Sequence, residues 1–96
     1  MYFLYEILNR VNDSYYIGIT GESIKRRFYI HCWSASSGKK TILYNAMRKY
    51  GVDKFTIKCL DSFGTRQEAN VAEIEHIRQY LLEGKRLYNM TKGGDG

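Results

Sequence analysis

The chain has 96 residues, 44% of them hydrophobic, and a formal charge of +5 from 15 Lys and Arg against 10 Asp and Glu. That is room for one small domain and not two, and the apolar share excludes a disordered chain. No apolar run approaches the ~20 residues of a membrane span, and the opening MYFLYEILNR lacks the basic region and small-residue cleavage site of a secretory signal, so neither is expected.

Residues 2–9 and 15–20, rich in Tyr, Ile, Leu and Phe, read as two strands. Asn12 and Asp13 tolerate positive φ, which predicts a two-residue hairpin turn flanked by Val11 and Ser14. In that register Asn9 faces Tyr16, Ile7 faces Gly18 and Tyr5 faces Thr20. Tyr5 and Tyr16 then share one face beside the space that Gly18 leaves, while Leu4, Leu8, Ile17 and Ile19 make a core surface on the other.

Ser23 is placed to cap a helix running to about Trp33, with Ile24, Arg27, Phe28 and His31 along one stripe. SASSGKKT at 34–41 reads as a loop. A second helix over about 41–50 carries Leu43, Ala46, Met47 and Tyr50 at helical spacing and stops at Gly51. A third strand at about 54–61 alternates Phe55, Ile57 and Cys59 with Thr56 and Lys58. Thr65 and Glu68 fit a capping box, opening a helix that runs to about Glu83 and ends at Gly84. Leu87–Thr91 suits a short closing segment, and the glycine-rich KGGDG reads as the start of a linker. The prediction is an α/β chain of the α+β kind: a small three-stranded antiparallel sheet flanked by three helices, with the domain at 1–92 and flexible linker at 93–96.

Several polar residues fall in apolar places. Arg27 and His31 lie four apart on the stripe shared with Ile24 and Phe28. For each alone the commoner reading is structural, a snorkelling arginine or a satisfied core histidine. At ~100° per residue, Glu73 falls between Tyr80 and Ile77, whereas Glu75 falls beside Glu68, Gln79 and Glu83 on the solvated face. Glu73 is therefore the carboxylate directed at the core edge; taken alone, a salt bridge is its commoner role. His76 groups with the polar side. Tyrosines in a sheet are ordinarily packing. Together, however, these groups contain what phosphodiester cleavage needs. A carboxylate can hold a divalent metal, an arginine can stabilise charge on phosphate, and a phenol or imidazole can move protons.

Nine tyrosines on a basic chain suit a polyanion such as nucleic acid. Cys32 and Cys59 alone cannot build a disulfide framework or a four-ligand zinc site. A reducing cytosol is expected, and no functional role for either thiol.

The order of these residues resembles a known pattern. Phe3-Leu4-Tyr5 and Tyr16-Ile17-Gly18 resemble the paired motifs of the GIY-YIG nuclease family. IKRRFYIH at 24–31 resembles its Arg-aromatic-x-x-His helix, and LYNAMRKYGVDKFTIKCL at 43–60 its middle region. Glu73 followed by Ile77 resembles its glutamate helix, and YNMTKGGDG at 88–96 is similar to the closing segment of the phage-type homing endonuclease branch. Two departures are visible: only the tyrosine of the first motif is kept, and Leu87 stands where a glycine is usual.

The resemblance implies a DNA endonuclease domain dependent on Mg²⁺ or another divalent cation such as Mn²⁺, leaving 5′-phosphate and 3′-hydroxyl ends. It implies a cytoplasmic setting in a bacterial or phage-infected cell. Glu73 would hold the metal, and Arg27 would bind the scissile phosphate. Tyr5 is the favoured base, with Tyr16 and His31 orienting it or relaying the proton, and the reverse assignment stays open. Gly18 and Asn89 would support the site. Lys39, Lys40, Arg48 and Lys49, with Lys54 and Lys58, suit phosphates of double-stranded DNA. Homing members carry a separate C-terminal DNA-binding region, which the GGDG ending leaves outside this chain, so weak DNA affinity is expected. The alternatives are a repair or restriction nuclease of the same family, a non-catalytic nucleic-acid-binding module, or a protein-interaction domain.

Overall fold

The computed structural model describes residues 1–89. Strands β1 (Tyr2–Asn9) and β2 (Ser14–Thr20) form an antiparallel hairpin, and β3 (Phe55–Phe63) pairs antiparallel with the other side of β1. A two-residue strand, β4 (Arg86–Leu87), joins β2 in parallel, which gives the order β3-β1-β2-β4. The helices are α1 (Ile24–Ser36), α2 (Ile42–Tyr50) and α3 (Arg66–Leu82), with a 3₁₀ turn at Val52–Lys54. The α+β class is as predicted, with four strands where three were expected. Two residues are too few to show an alternation, so β4 had no signature beyond the predicted closing segment. The part of that segment after Asn89, and the 93–96 linker, lie outside the described residues.

The hairpin register differs from the prediction by two. Tyr5 pairs with Gly18, Ile7 with Tyr16 and Asn9 with Ser14, leaving four loop residues. Two asparagines build the longer loop. Val11 N donates to Asn9 Oδ1 at 2.9 Å and Ser14 N to Asn12 Oδ1 at 3.2 Å, so only Asp13, at φ 56°, turns left-handed. Strand faces alternate with period two, and an even shift leaves every side chain on its expected face.

Both faces of the sheet are covered. On one, Tyr5 and Ile7 pack with Ala35, Leu43, Ala46, Met47 and Phe55, so α1 and α2 seal the larger core. On the other, Leu4 and Ile17 pack with Ile77 of α3. The phenol-bearing face is thus largely core as well. Helix α1 runs three residues past its expected end because Ser34 and Ala35 are small enough to stay buried. In β3 the alternation breaks at a bulge: Tyr5 pairs with Cys59 and Leu4 with Asp61. Leu60 and Phe63 then pack on the α3 side. Among the described residues no helix is long and apolar enough to cross a membrane. Both cysteines are free, Cys59 exposed and Cys32 half-buried.

Candidate active site

The site is built on the hairpin, where Tyr5 lies over Gly18. A Cβ at Gly18 would stand 2.5 Å from the Tyr5 hydroxyl oxygen and 3.1 Å from Tyr16 Cε2. Only glycine admits the phenol there. The two tyrosine rings sit together, with centroids 6.4 Å apart. Helix α1, capped where Arg26 N donates to Ser23 Oγ at 3.1 Å, brings His31 against them. His31 Nε2 lies 2.8 Å from the Tyr5 hydroxyl, and its ring meets Tyr16 edge-on at 5.6 Å. The other ring nitrogen, Nδ1, lies 2.8 Å from the hydroxyl of Tyr44 on α2.

Burial sets the protonation states. His31 is 2% exposed. Burial, with Arg27 nearby, lowers its pKa to about 4, so the imidazole is neutral near pH 7. Burial also pushes the Tyr5 phenol above its ordinary range, and neighbouring Tyr16 adds to this, while Arg27 acts in the opposite sense. Tyr16 is raised too, by burial first; Arg27 lowers it and Glu73 raises it. Tyr16 is the phenol that feels both the cation and the carboxylate. It is half-buried, and among the described residues its hydroxyl has no protein hydrogen-bond partner.

Arg27 is half-buried among phenols, and among the described residues no carboxylate pairs with it. Glu73 is also half-buried, whereas Glu75 is exposed. Burial raises the pKa of Glu73, opposed by the charge of Arg66 two turns earlier on α3. Asn89 reaches back to β2. Its Oδ1 accepts from Ile17 N at 3.0 Å and its Nδ2 donates to Ile17 O at 2.8 Å, which pins the backbone between Tyr16 and Gly18. Lys39, Lys40 and Lys49 are exposed.

Arg48 departs from the prediction. Its Nη1 donates to the carbonyls of Ala35 and Lys39, both at 2.7 Å, and its Nη2 to Asn45 Oδ1. It fastens α2 to the end of α1, which leaves the guanidinium little freedom for a phosphate. Tyr44 is the site residue that sequence reasoning did not single out. It stands beside the Leu43, Ala46 and Met47 stripe rather than on it. Its one sequence signal is a place in the first turn after Thr41, whose Oγ1 caps Tyr44 N at 3.2 Å. His76 caps nothing at the site; its Nδ1 contacts the Ala72 carbonyl at 2.9 Å.

A family model, the GIY-YIG catalytic domain, matches residues 1–89. Two inferred endonucleases of Enterobacteria phage T4, segE and segB, are 35% and 30% identical over 95 residues. Each comparison takes in 99% of this chain but only 43% and 40% of the phage protein. The chain therefore spans less than half the length of these curated relatives. Among solved structures, the catalytic domain of the intron endonuclease I-TevI, in a glutamate-to-alanine mutant form, superposes with a TM-score of 0.81. All of both chains is covered at 19% sequence identity, a likeness of fold.

Proposed function

The chain belongs to the GIY-YIG family, and we propose that it is the catalytic domain of a homing-type DNA endonuclease, hydrolysing phosphodiester bonds with the help of a divalent cation. The observation that carries this reading is an unpaired guanidinium, Arg27, set among Tyr5, Tyr16 and a neutral His31, with one half-buried carboxylate acting on Tyr16. The similarity to phage endonucleases favours this branch over a repair or restriction enzyme. A non-catalytic module would have no use for so complete a set.

The donor set fits Mg²⁺ or Mn²⁺. Among the described residues no three His, Cys, Asp or Glu gather in one place. Glu73 is a lone, partly desolvated carboxylate without an ion-pair partner. A hydrated cation that keeps several waters and takes substrate oxygens needs no more than that, whereas a zinc site would. When bound, such a cation neutralises charge on the phosphate.

The chain's own groups do the rest. Arg27 grips the phosphate and stabilises the extra negative charge that develops there. Tyr5 takes a proton from the attacking water as its own proton passes to His31 Nε2. This relay spares a buried phenolate, which the raised Tyr5 pKa makes costly. Tyr16 orients the water with its free hydroxyl. Asn89 and Gly18 hold the strand that carries Tyr16. In-line displacement leaves a 5′-phosphate and a 3′-hydroxyl. Lys39, Lys40 and Lys49 contribute sequence-blind phosphate contacts. Sequence recognition belongs to a separate region C-terminal to this domain. The setting is the cytoplasm of a bacterial or phage-infected cell.

The test is to fuse the chain to a sequence-specific DNA-binding domain and incubate it with plasmid, with and without Mg²⁺. Nicking that needs the cation and is lost in both Arg27→Ala and Glu73→Ala is expected. Binding without cleavage under Mg²⁺ or Mn²⁺, or nicking equal in all three proteins, overturns the reading.

A further inference from the structure

We propose that Tyr44 is a positioning residue that fixes the tautomer of His31, holding its proton on Nδ1 and leaving the Nε2 lone pair to receive the proton of Tyr5. The inference rests on the nuclease reading for its consequence, but the tautomer itself follows from hydrogen-bond accounting.

A neutral imidazole carries one N–H and one bare nitrogen. Both nitrogens of His31 lie 2.8 Å from a phenol oxygen, Tyr5 at Nε2 and Tyr44 at Nδ1. One phenol must therefore donate and the other accept. Tyr5 is 1% exposed, and among the described residues its hydroxyl meets Arg27, which can only donate, and His31, the one neighbour able to accept its proton. If Nε2 carried the proton, the Tyr5 O–H of the free domain would be left without a protein acceptor at a nearly closed position, which is costly. Tyr44 is half-buried, so its own hydroxyl proton can reach water while its oxygen accepts from Nδ1–H. Arg27, which has donors only, stands near the phenol oxygens of Tyr5 and Tyr44. It can fill a lone pair on Tyr5 but cannot take its proton. Every group is satisfied when the chain runs from Tyr5 O–H to Nε2 and from Nδ1–H to Tyr44.

The arrangement also suits the product of proton transfer. When Nε2 gains the Tyr5 proton and Tyr5 takes one from water, the imidazolium donates from both nitrogens, to Tyr5 and to Tyr44. No group is stranded and nothing has to rotate. Tyr44 thus plays toward His31 the part that an orienting third group plays toward any catalytic base.

The experiment is ¹⁵N NMR of the His31 ring near pH 7 in the free domain, together with Tyr44→Phe, which keeps the ring and removes only the oxygen. In the wild type, Nδ1 is expected to resonate as a protonated pyrrole-type nitrogen and Nε2 as a bare pyridine-type one. In Tyr44→Phe a mixture of tautomers is expected. The maximal cleavage rate is expected to fall roughly 10-fold or more, with the DNA concentration at half-maximal rate unchanged. A wild-type spectrum with the proton on Nε2 overturns the proposal. So does a folded Tyr44→Phe protein with an unchanged tautomer and rate. Should that variant not fold, the wild-type spectrum alone decides. A domain that cuts no DNA would refute the nuclease reading while leaving the spectrum to judge Tyr44.

Discussion

Replacing Gly18 by alanine should damage the site and leave a folded protein. Gly18 does not occupy the left-handed region, so the cost is space rather than backbone conformation. The new methyl would stand 2.5 Å from the Tyr5 hydroxyl oxygen and 2.6 Å from Cζ, against 3.4 Å for an ordinary contact. Relief requires the hydroxyl to move by about 0.9 Å. The Tyr5 ring is packed into the larger core, so this is overpacking, which costs about 1–3 kcal/mol. A displacement of that size also breaks the 2.8 Å bond to His31 and strands buried polar atoms, at about 1–3 kcal/mol more. The sum, about 2–6 kcal/mol, is smaller than most of the 5–15 kcal/mol range of a small domain. Urea denaturation should show that loss. Nicking by the folded fraction should fall about 100-fold, since a misplacement near 1 Å costs that much. Gly21→Ala is the control: its Cβ meets only the edge of Tyr2, at 3.3 Å. A Gly18→Ala protein with wild-type midpoint and rate would refute the close approach of Tyr5 to this strand.

Stability should depend on pH through His31. Its folded pKa, about 4, lies below the ordinary 6.5, so the unfolded chain binds the proton between those values. The full contribution is present above pH 6.5 and is lost as pH falls toward 4, by about 3 kcal/mol; denaturation at pH 4.5 and 7.5 should lose this slope in His31→Asn, and an unchanged slope assigns it to other groups. Glu73→Gln should abolish nicking yet raise the thermal midpoint, because a partly buried carboxylate without an ion pair is a cost to the fold; a lower midpoint would reveal a stabilising partner. Arg48→Ala should lower the unfolding free energy by about 1–3 kcal/mol by freeing the carbonyls of Ala35 and Lys39. Lys49→Ala should instead leave stability alone and reduce the slope of log K against log salt by about 0.9; DNA titrations at several salt concentrations that exchange these two outcomes would reverse the assignment. The pH dependence of cleavage should move between regimes, with the basic-group pKa higher at saturating DNA than at limiting DNA; equal values would separate Arg27 from the base.

Much of this geometry was legible in the sequence, for reasons specific to each residue. Tyr5 and Tyr16 were placed on one face from strand alternation, and that survived a register error because the error was even. Glu73 was separated from Glu75 by the helical wheel, and the two are half-buried and exposed as that wheel requires. Arg27 and His31 were marked by sharing a stripe with Ile24 and Phe28, which pack on the core. What could not be read depends on how elements dock. Tyr44 sits off its helix's apolar stripe, and its value comes from α2 lying against α1. Arg48 looks like any solvated helix cation until the end of α1 presents its carbonyls. The β3 bulge follows from fitting β3 to β1, and nothing in the local alternation announces it.

The two-regime pH behaviour follows from one charge serving two partners. Arg27 lies close enough to depress His31 and to oppose the rise in the Tyr5 and Tyr16 pKa values. In the free domain burial first, and Arg27 with it, keeps His31 neutral but makes it a weak base, because an imidazolium would face a cation in a dry site. A phosphodiester seated on Arg27 brings a negative charge to the same place. The part of the His31 depression that Arg27 causes is then offset, while the part due to burial remains. Proton transfer from Tyr5 becomes easier once the phosphate is in position, and not before. The tight packing that holds Tyr5 over Gly18 matters for the same reason: a relay whose strength is set by one neighbouring charge works only if the phenol, the imidazole and the guanidinium keep their distances. A site built on the rim of the larger core, rather than on a loop, provides that rigidity.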